Sequence, residues 1–167
     1  MIHEKARKNS RRKTRLITEA ALIAAIYTVL CIIFKPISFS FLQVRIAEML
    51  TILPYYTGSA IPGVTIGCLI SSLLTGADIF DIIFGSLATF IGALGSYALR
   101  RHKYLVPLPP VISNTLIIPP VLRFAYGEGQ PLPFMMLTVG IGELISCYIL
   151  GLALLFLLGK YRNVIFK

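Results

Sequence analysis

Residues 134–159 read FMMLTVGIGELISCYILGLALLFLLG, with one charge, Glu143, in the whole run. A helix needs about 20 predominantly apolar residues to cross a hydrocarbon core, so this run is long enough to span a bilayer. Working outward from it, Leu16–Phe34 is apolar except for Glu19, and Asp81–Leu99 carries charge only at its first residue. Tyr104–Leu122 has no charge but is rich in proline. The region from Phe41 to Thr75 is broken at Thr57-Gly58-Ser59, with Pro62 just beyond. Glycine in a turn and proline in a first helical turn read as a tight connection between two helices. Two short spans result, 41–57 and 60–75, and the total is six. The expected fold is all-α, a polytopic membrane protein of six transmembrane helices.

Composition agrees. The 167 residues are 56% hydrophobic and only 14% charged, with a mean hydropathy of +0.81. A soluble domain would carry roughly a quarter charged residues. Length allows one domain: a transmembrane domain over 16–159 between basic tails at 1–15 and 160–167.

The charge is segregated. Lys5, Arg7, Lys8, Arg11, Arg12, Lys13 and Arg15 crowd the start, Arg100, Arg101 and Lys103 form a central cluster, and Lys160, Arg162 and Lys167 close the chain. With both termini cytoplasmic, 13 of the 16 Lys and Arg lie inside, leaving Lys35, Arg45 and Arg123 outside. The positive-inside rule favours that orientation. A cleaved signal peptide is disfavoured because Phe34-Lys35-Pro36, not a small-residue cleavage site, follows the first apolar run. Beside a span, the basic tail reads as an orientation signal that meets anionic lipid of the bilayer. No nucleic acid is expected as a partner.

Chemistry of catalysis is not indicated, and the chain is not expected to be an enzyme. Cys31, Cys68 and Cys147 are scattered within apolar segments, and His3 and His102 sit in the basic clusters, so no metal-ligand spacing exists. A P-loop is missing as well, and no cofactor is expected.

Small residues four apart let membrane helices approach closely. Gly63, Gly67 and Ser71 form one such stripe, Gly85, Thr89, Gly92 and Ser96 a second, and Gly140, Glu143, Cys147 and Gly151 a third. Ordinary packing accounts for these. The first helix is different: Ala20 and Ala24 lie on one face and Ala21 and Ala25 on the next, more small surface than one neighbour requires.

Polar groups inside spans are functional candidates by default. Glu143 is the only charge in its span, and Asn114 lies between Pro109-Pro110 and Pro119-Pro120, where broken backbone suits a cavity lining. Arg45 and Glu48 stand three apart and could pair with each other. Asp81 opens the fourth long run, where it could instead cap a helix, a role still better suited to Asp78.

The run Glu19–Leu30, EAALIAAIYTVL, resembles the first helix of substrate-binding (S) components of energy-coupling factor (ECF) transporters. Pro36–Phe39, Gln43-Val-Arg-Ile-Ala-Glu48 with Leu53-Pro54, Ala60-Ile-Pro-Gly63 and Asp81-Ile-Ile-Phe-Gly-Ser-Leu-Ala-Thr89 resemble the QueT family, over roughly residues 16–159. That resemblance implies a six-helix membrane protein that binds a queuosine precursor near the outer face. It also implies docking through the alanines of the first helix on a membrane T component carrying two cytoplasmic ATPases. The implied ligand is a 7-deazaguanine, either queuine or 7-aminomethyl-7-deazaguanine.

A guanine edge offers two donors that suit one carboxylate, its carbonyl accepts from Asn or Arg, and a cationic aminomethyl group calls for a second acid. Glu143, Asn114, Arg45, Glu48 and Asp81 supply that set, with the partner of each left open. Tyr27, Phe39, Phe41, Tyr97 and Tyr126 are candidates to stack on the ring. An S component for another vitamin-like molecule, or a small channel or scaffold protein, is the alternative.

Overall fold

The computed structural model describes residues 2–38 and 44–165, and every regular element among them is helical. The elements are α1 (Ile2–Ile33), the single turn α2 (Lys35–Ser38), a 3-10 helix (Ile46–Tyr55), α3 (Ala60–Thr75), α4 (Ile79–Ala98), α5 (Leu108–Ala125), α6 (Leu132–Glu143), a π segment (Leu144–Leu150) and α7 (Gly151–Ile165). Four helices are long and apolar enough to cross a membrane: Asn9–Ile33, Ile79–Ala98, Leu108–Ala125 and the rod Leu132–Tyr161. The 3-10 helix and α3 are shorter apolar helices. The expected boundary between the two short segments therefore holds, but the first of them is not an α-helix.

Its sequence explains why. Ala47, Leu50 and Leu53 are buried, and so are Glu48, Thr51 and Pro54. Each set repeats every three residues, which matches the three residues per turn of a 3-10 helix. Pro54 also lacks the N–H that an α-helix would use. The Thr51 hydroxyl donates back to the Glu48 carbonyl at 2.6 Å.

This helix is the axis of the bundle. It touches α1, α3, α4, α7 and the π segment, while α1 packs on α3, α3 on α4, α4 on α5 and α5 on α6 around it. Ile23, Tyr27, Leu50, Leu53, Val64 and Ala93 belong to the resulting core. Large apolar side chains along the outer faces, such as Leu22, Leu74, Phe80 and Leu137, stay exposed. That is the surface a lipid environment requires.

Small residues set the helix spacing. A Cβ at Gly67 would lie 2.7 Å from Tyr27 Cβ, and one at Gly92 would lie 2.7 Å from Pro110 Cα. The Ala20/Ala24 face packs on α3: the same Gly67 Cβ would meet Ala24 O at 3.0 Å, and one at Gly63 would meet Ala20 O at 3.0 Å. Ala24 is buried, whereas Ala21 and Ala25 remain exposed. The two alanine faces thus divide, one serving the internal contact and one left bare. They border a groove that also includes Ile17, Pro62 and Ile66.

Helix ends are conventional where they turn. Asp78 caps α4 by accepting from the Phe80 N–H at 2.9 Å, the role expected for it. Gly76, at φ 73°, ends α3 in the left-handed conformation. The Ala77 N–H reaches back to Ser72 O at 3.0 Å, completing a Schellman closure.

Candidate ligand-binding site

The 3-10 helix is tied at the end of the bundle where the basic residues gather. Tyr56 donates to Leu155 O at 2.5 Å, and Thr57 and Ser59 donate to Glu19 Oε2 at 3.1 and 2.8 Å. Ten residues at about 2.0 Å rise make about 20 Å, less than the bundle's height. Anchored at the basic end, the helix stops short of the opposite end and leaves Arg45 and Glu48 deep. Above its tip, α1, α3, α4 and α5 enclose a cavity of about 60 Å³ bordered by Tyr27, Arg45, Cys68, Ser71, Asp81 and Leu122. The volume takes a few waters and is too small for a bicyclic ring.

The five predicted site residues fall into two layers. The upper layer is Arg45 and Asp81, which line the cavity and face each other at 3.7 Å, Nη2 to Oδ1. Arg45 therefore pairs with Asp81 and not with Glu48, three residues on. The extended backbone at Arg45 (φ −89°, ψ 91°) precedes the first turn of the 3-10 helix, so the i, i+3 relation of a continuous helix is lost. Tyr126 donates to Asp81 Oδ2 at 3.3 Å and accepts the Asp78 N–H at 2.9 Å, tying the loop after α5 to the start of α4. Burial raises the Tyr126 phenol pKa, and the Asp81 and Asp78 carboxylates raise it further, so the donating hydroxyl keeps its proton.

The deeper layer is Glu48, Asn114 and Glu143, at 0, 1 and 2% exposure. Glu48 Oε1 accepts from the Tyr27 phenol and from Thr89 Oγ1, the latter at 3.2 Å, while its Oε2 has no partner. Glu143 Oε2 accepts from the Cys147 thiol at 3.4 Å. The Asn114 amide approaches both carboxylates, but its Nδ2 aligns a hydrogen bond with neither.

Local irregularities aim these groups. Pro119 and Pro120 cannot donate to the carbonyls one turn back, which loosens α5 just after Asn114. The π segment follows Glu143 directly and turns Ser146 and Cys147 inward against the 3-10 helix. Single π turns inside α-helices are frequent at functional sites.

Three side chains of this layer carry roles that sequence reading did not assign. Tyr27 was a stacking candidate, yet it borders the cavity and bonds Glu48, standing between the two layers. Thr89 and Cys147 were members of small-residue stripes, and both donate to the carboxylates. Of the other aromatic candidates, Tyr97 lies at the basic end under Arg100, 4.2 Å from the ring centroid. Phe39 and Phe41 lie outside the described residues. Glu48, Glu143 and Cys147 also bring metal-ligand atoms within 4.8 Å of one another; Glu143 and Cys147 share a helix face four residues apart, and Glu48 joins them only through the fold.

The arrangement can present carboxylate oxygens and one amide donor to a polar molecule held away from water. The family described as QueT transporter matches residues 17–160. The queuosine precursor transporter QueT of Lactococcus lactis subsp. cremoris (strain MG1363) is 35% identical over 94 residues, 54% of this chain and 55% of that protein. The chain thus spans about half the length of the curated relative it matches. No solved structure matches it.

Proposed function

Because the chain belongs to the QueT transporter family, we propose that it is the substrate-capture component of an ECF-type importer for a queuosine precursor, queuine or 7-aminomethyl-7-deazaguanine. It is a multi-pass protein of the cell membrane. The observation that carries the reading is the buried Glu48–Asn114–Glu143 layer with its unpartnered Glu48 Oε2 and Asn114 Nδ2. A buried acceptor and a buried donor that align no hydrogen bond are costly unless a ligand completes them. The name of the Lactococcus relative supports the substrate class.

In this reading residues 16–159 form six spans between cytoplasmic tails at 1–15 and 160–167, and the cavity faces outside. Entry of the ring displaces Tyr27, which separates the cavity from Glu48. The chain captures the ligand without altering it. Energy comes from two cytoplasmic ATPases through a membrane T component, and the bare Ala21/Ala25 face is the docking surface.

Mass spectrometry of small molecules released from protein purified in detergent tests the substrate. A deazapurine is the expected result. Another vitamin-like molecule would replace the substrate while keeping the role, and an empty protein with ion conductance would mark a channel.

Orientation has its own test. Cysteines introduced at Gly58 and Gly129 should be cytoplasmic and external respectively. A Cβ at Gly58 makes ordinary contact with Tyr97 at 3.7 Å, and one at Gly129 meets nothing within 4 Å. With the native cysteines replaced, an impermeant thiol reagent on whole cells should label position 129 alone. Labelling of position 58 alone would overturn the topology.

A further inference from the structure

Buried acids outnumber buried bases at this site. Arg45 pairs with Asp81. Every donor that reaches Glu48 or Glu143 is neutral: the Tyr27 phenol, the Thr89 hydroxyl and the Cys147 thiol. Among the described residues no Lys, Arg or His forms an ion pair with either carboxylate. Two acids removed from water either hold a proton or call for a cationic counterpart, and among the described residues none stands in ion-pair contact with them.

The two carboxylates also differ in what they have left to offer. Glu48 Oε1 already serves two hydroxyls, so one oxygen, Oε2, is free for one strong donor. Glu143 is bonded by a thiol, a weak donor, and keeps capacity for a two-donor edge. Asn114 approaches both and has a free N–H to give.

We propose that this layer reads consecutive groups along one rim of the ligand. The ring N–H and exocyclic amine meet Glu143, the adjacent ring carbonyl meets Asn114 Nδ2, and a protonated alkylamine beside that carbonyl meets Glu48 Oε2. In a 7-deazaguanine the 7-substituent neighbours the ring carbonyl, so the chemical order matches. The inference rests on the deazaguanine reading and adds its contacts: the site holds the amine at that position through Glu48 and discriminates against a neutral nitrile. A nitrile brings neither proton nor charge and leaves Glu48 Oε2 unmet. A metal ion, the other occupant that Glu48, Glu143 and Cys147 could hold, gives the Asn114 N–H nothing to bond.

Calorimetric titration of the full-length protein in detergent tests this with two probes, 7-aminomethyl-7-deazaguanine and 7-cyano-7-deazaguanine. The nitrile should bind about 10- to 100-fold more weakly, the scale of one charge-assisted hydrogen bond. Glu48→Gln should shrink that gap by weakening the amine and sparing the nitrile. Equal affinities in the unaltered protein would overturn the selectivity while leaving the deazaguanine reading intact. Binding of neither probe would overturn both. A gap unchanged in Glu48→Gln would remove the amine from Glu48, and stoichiometric Zn²⁺ binding lost in that variant would replace the ammonium with a metal. Should Glu48→Gln fail to fold, the comparison of the two probes still decides the selectivity.

Discussion

Leucine at both Ala21 and Ala25 is expected to stop transport and to leave ligand binding by the isolated protein intact. Both alanines are exposed, four apart and beside a groove that includes Ile17, Pro62 and Ile66. In a bilayer, apolar surface alone gives helices little reason to associate, and close backbone approach through small side chains supplies the contact. Each substitution adds an isopropyl group to a helix face that is exposed among the described residues, so the fold tolerates it while a docking helix is held off. The neighbouring face is the internal control. Leucine at Ala24, whose Cα and carbonyl pack against Gly67, should lower the melting temperature. Transport, co-purification with the energising subunits and ligand affinity are the measurements. A double variant that co-purifies and transports normally would sink the docking assignment.

Glu143→Gln is expected to weaken ligand binding by roughly 30- to 1,000-fold, equivalent to about 2–4 kcal/mol. The amide keeps the shape of the carboxylate but turns one acceptor into a donor. Two ligand donors then face one acceptor and one N–H, and the mismatch is buried where water cannot repair it. In the ligand-free protein Glu143 is held only by the Cys147 thiol, a weak donor, so the melting temperature should fall little. A merely structural acid would show the reverse, a lowered melting temperature with affinity nearly intact. That outcome would leave Glu48 as the carboxylate of the site.

The membrane character and most element boundaries were legible in the sequence, because hydropathy runs and turn chemistry are local signals. Thr57-Gly58-Ser59 and Pro62 marked the break between the 3-10 helix and α3, and Asp78 marked the start of α4. The form of the 3-10 helix was less visible. Its three-residue repeat is present in Ala47–Pro54 but looks like an ordinary apolar run until neighbours bury both ridges. Pairing at the site was hidden for the same reason. Nothing local indicates that Arg45 turns to Asp81, or that Tyr27, twenty-one positions earlier, meets Glu48. Glu143 and Asn114 could be singled out because a polar residue in an apolar span is conspicuous wherever it points. Thr89 and Cys147 could not, since small polar residues are common on packing stripes.

The unequal lengths of these helices bear on the membrane that holds them. The apolar run at residues 134–159 is 26 residues long and α3 has 16, or about 39 Å and 24 Å at 1.5 Å per residue. A hydrocarbon core of about 30 Å matches neither. Long helices adjust by tilting, and a short one draws the lipid around it thinner, at a cost that grows with each ångström of mismatch. Leu69, Leu73 and Leu74 of α3 face outward, away from the groove beside Ala21 and Ala25, so that flank meets the acyl chains. Bilayer thickness thereby becomes a variable of this protein's stability: lengthening the lipid tails strains the α3 flank with every residue unchanged, and shortening them relieves it.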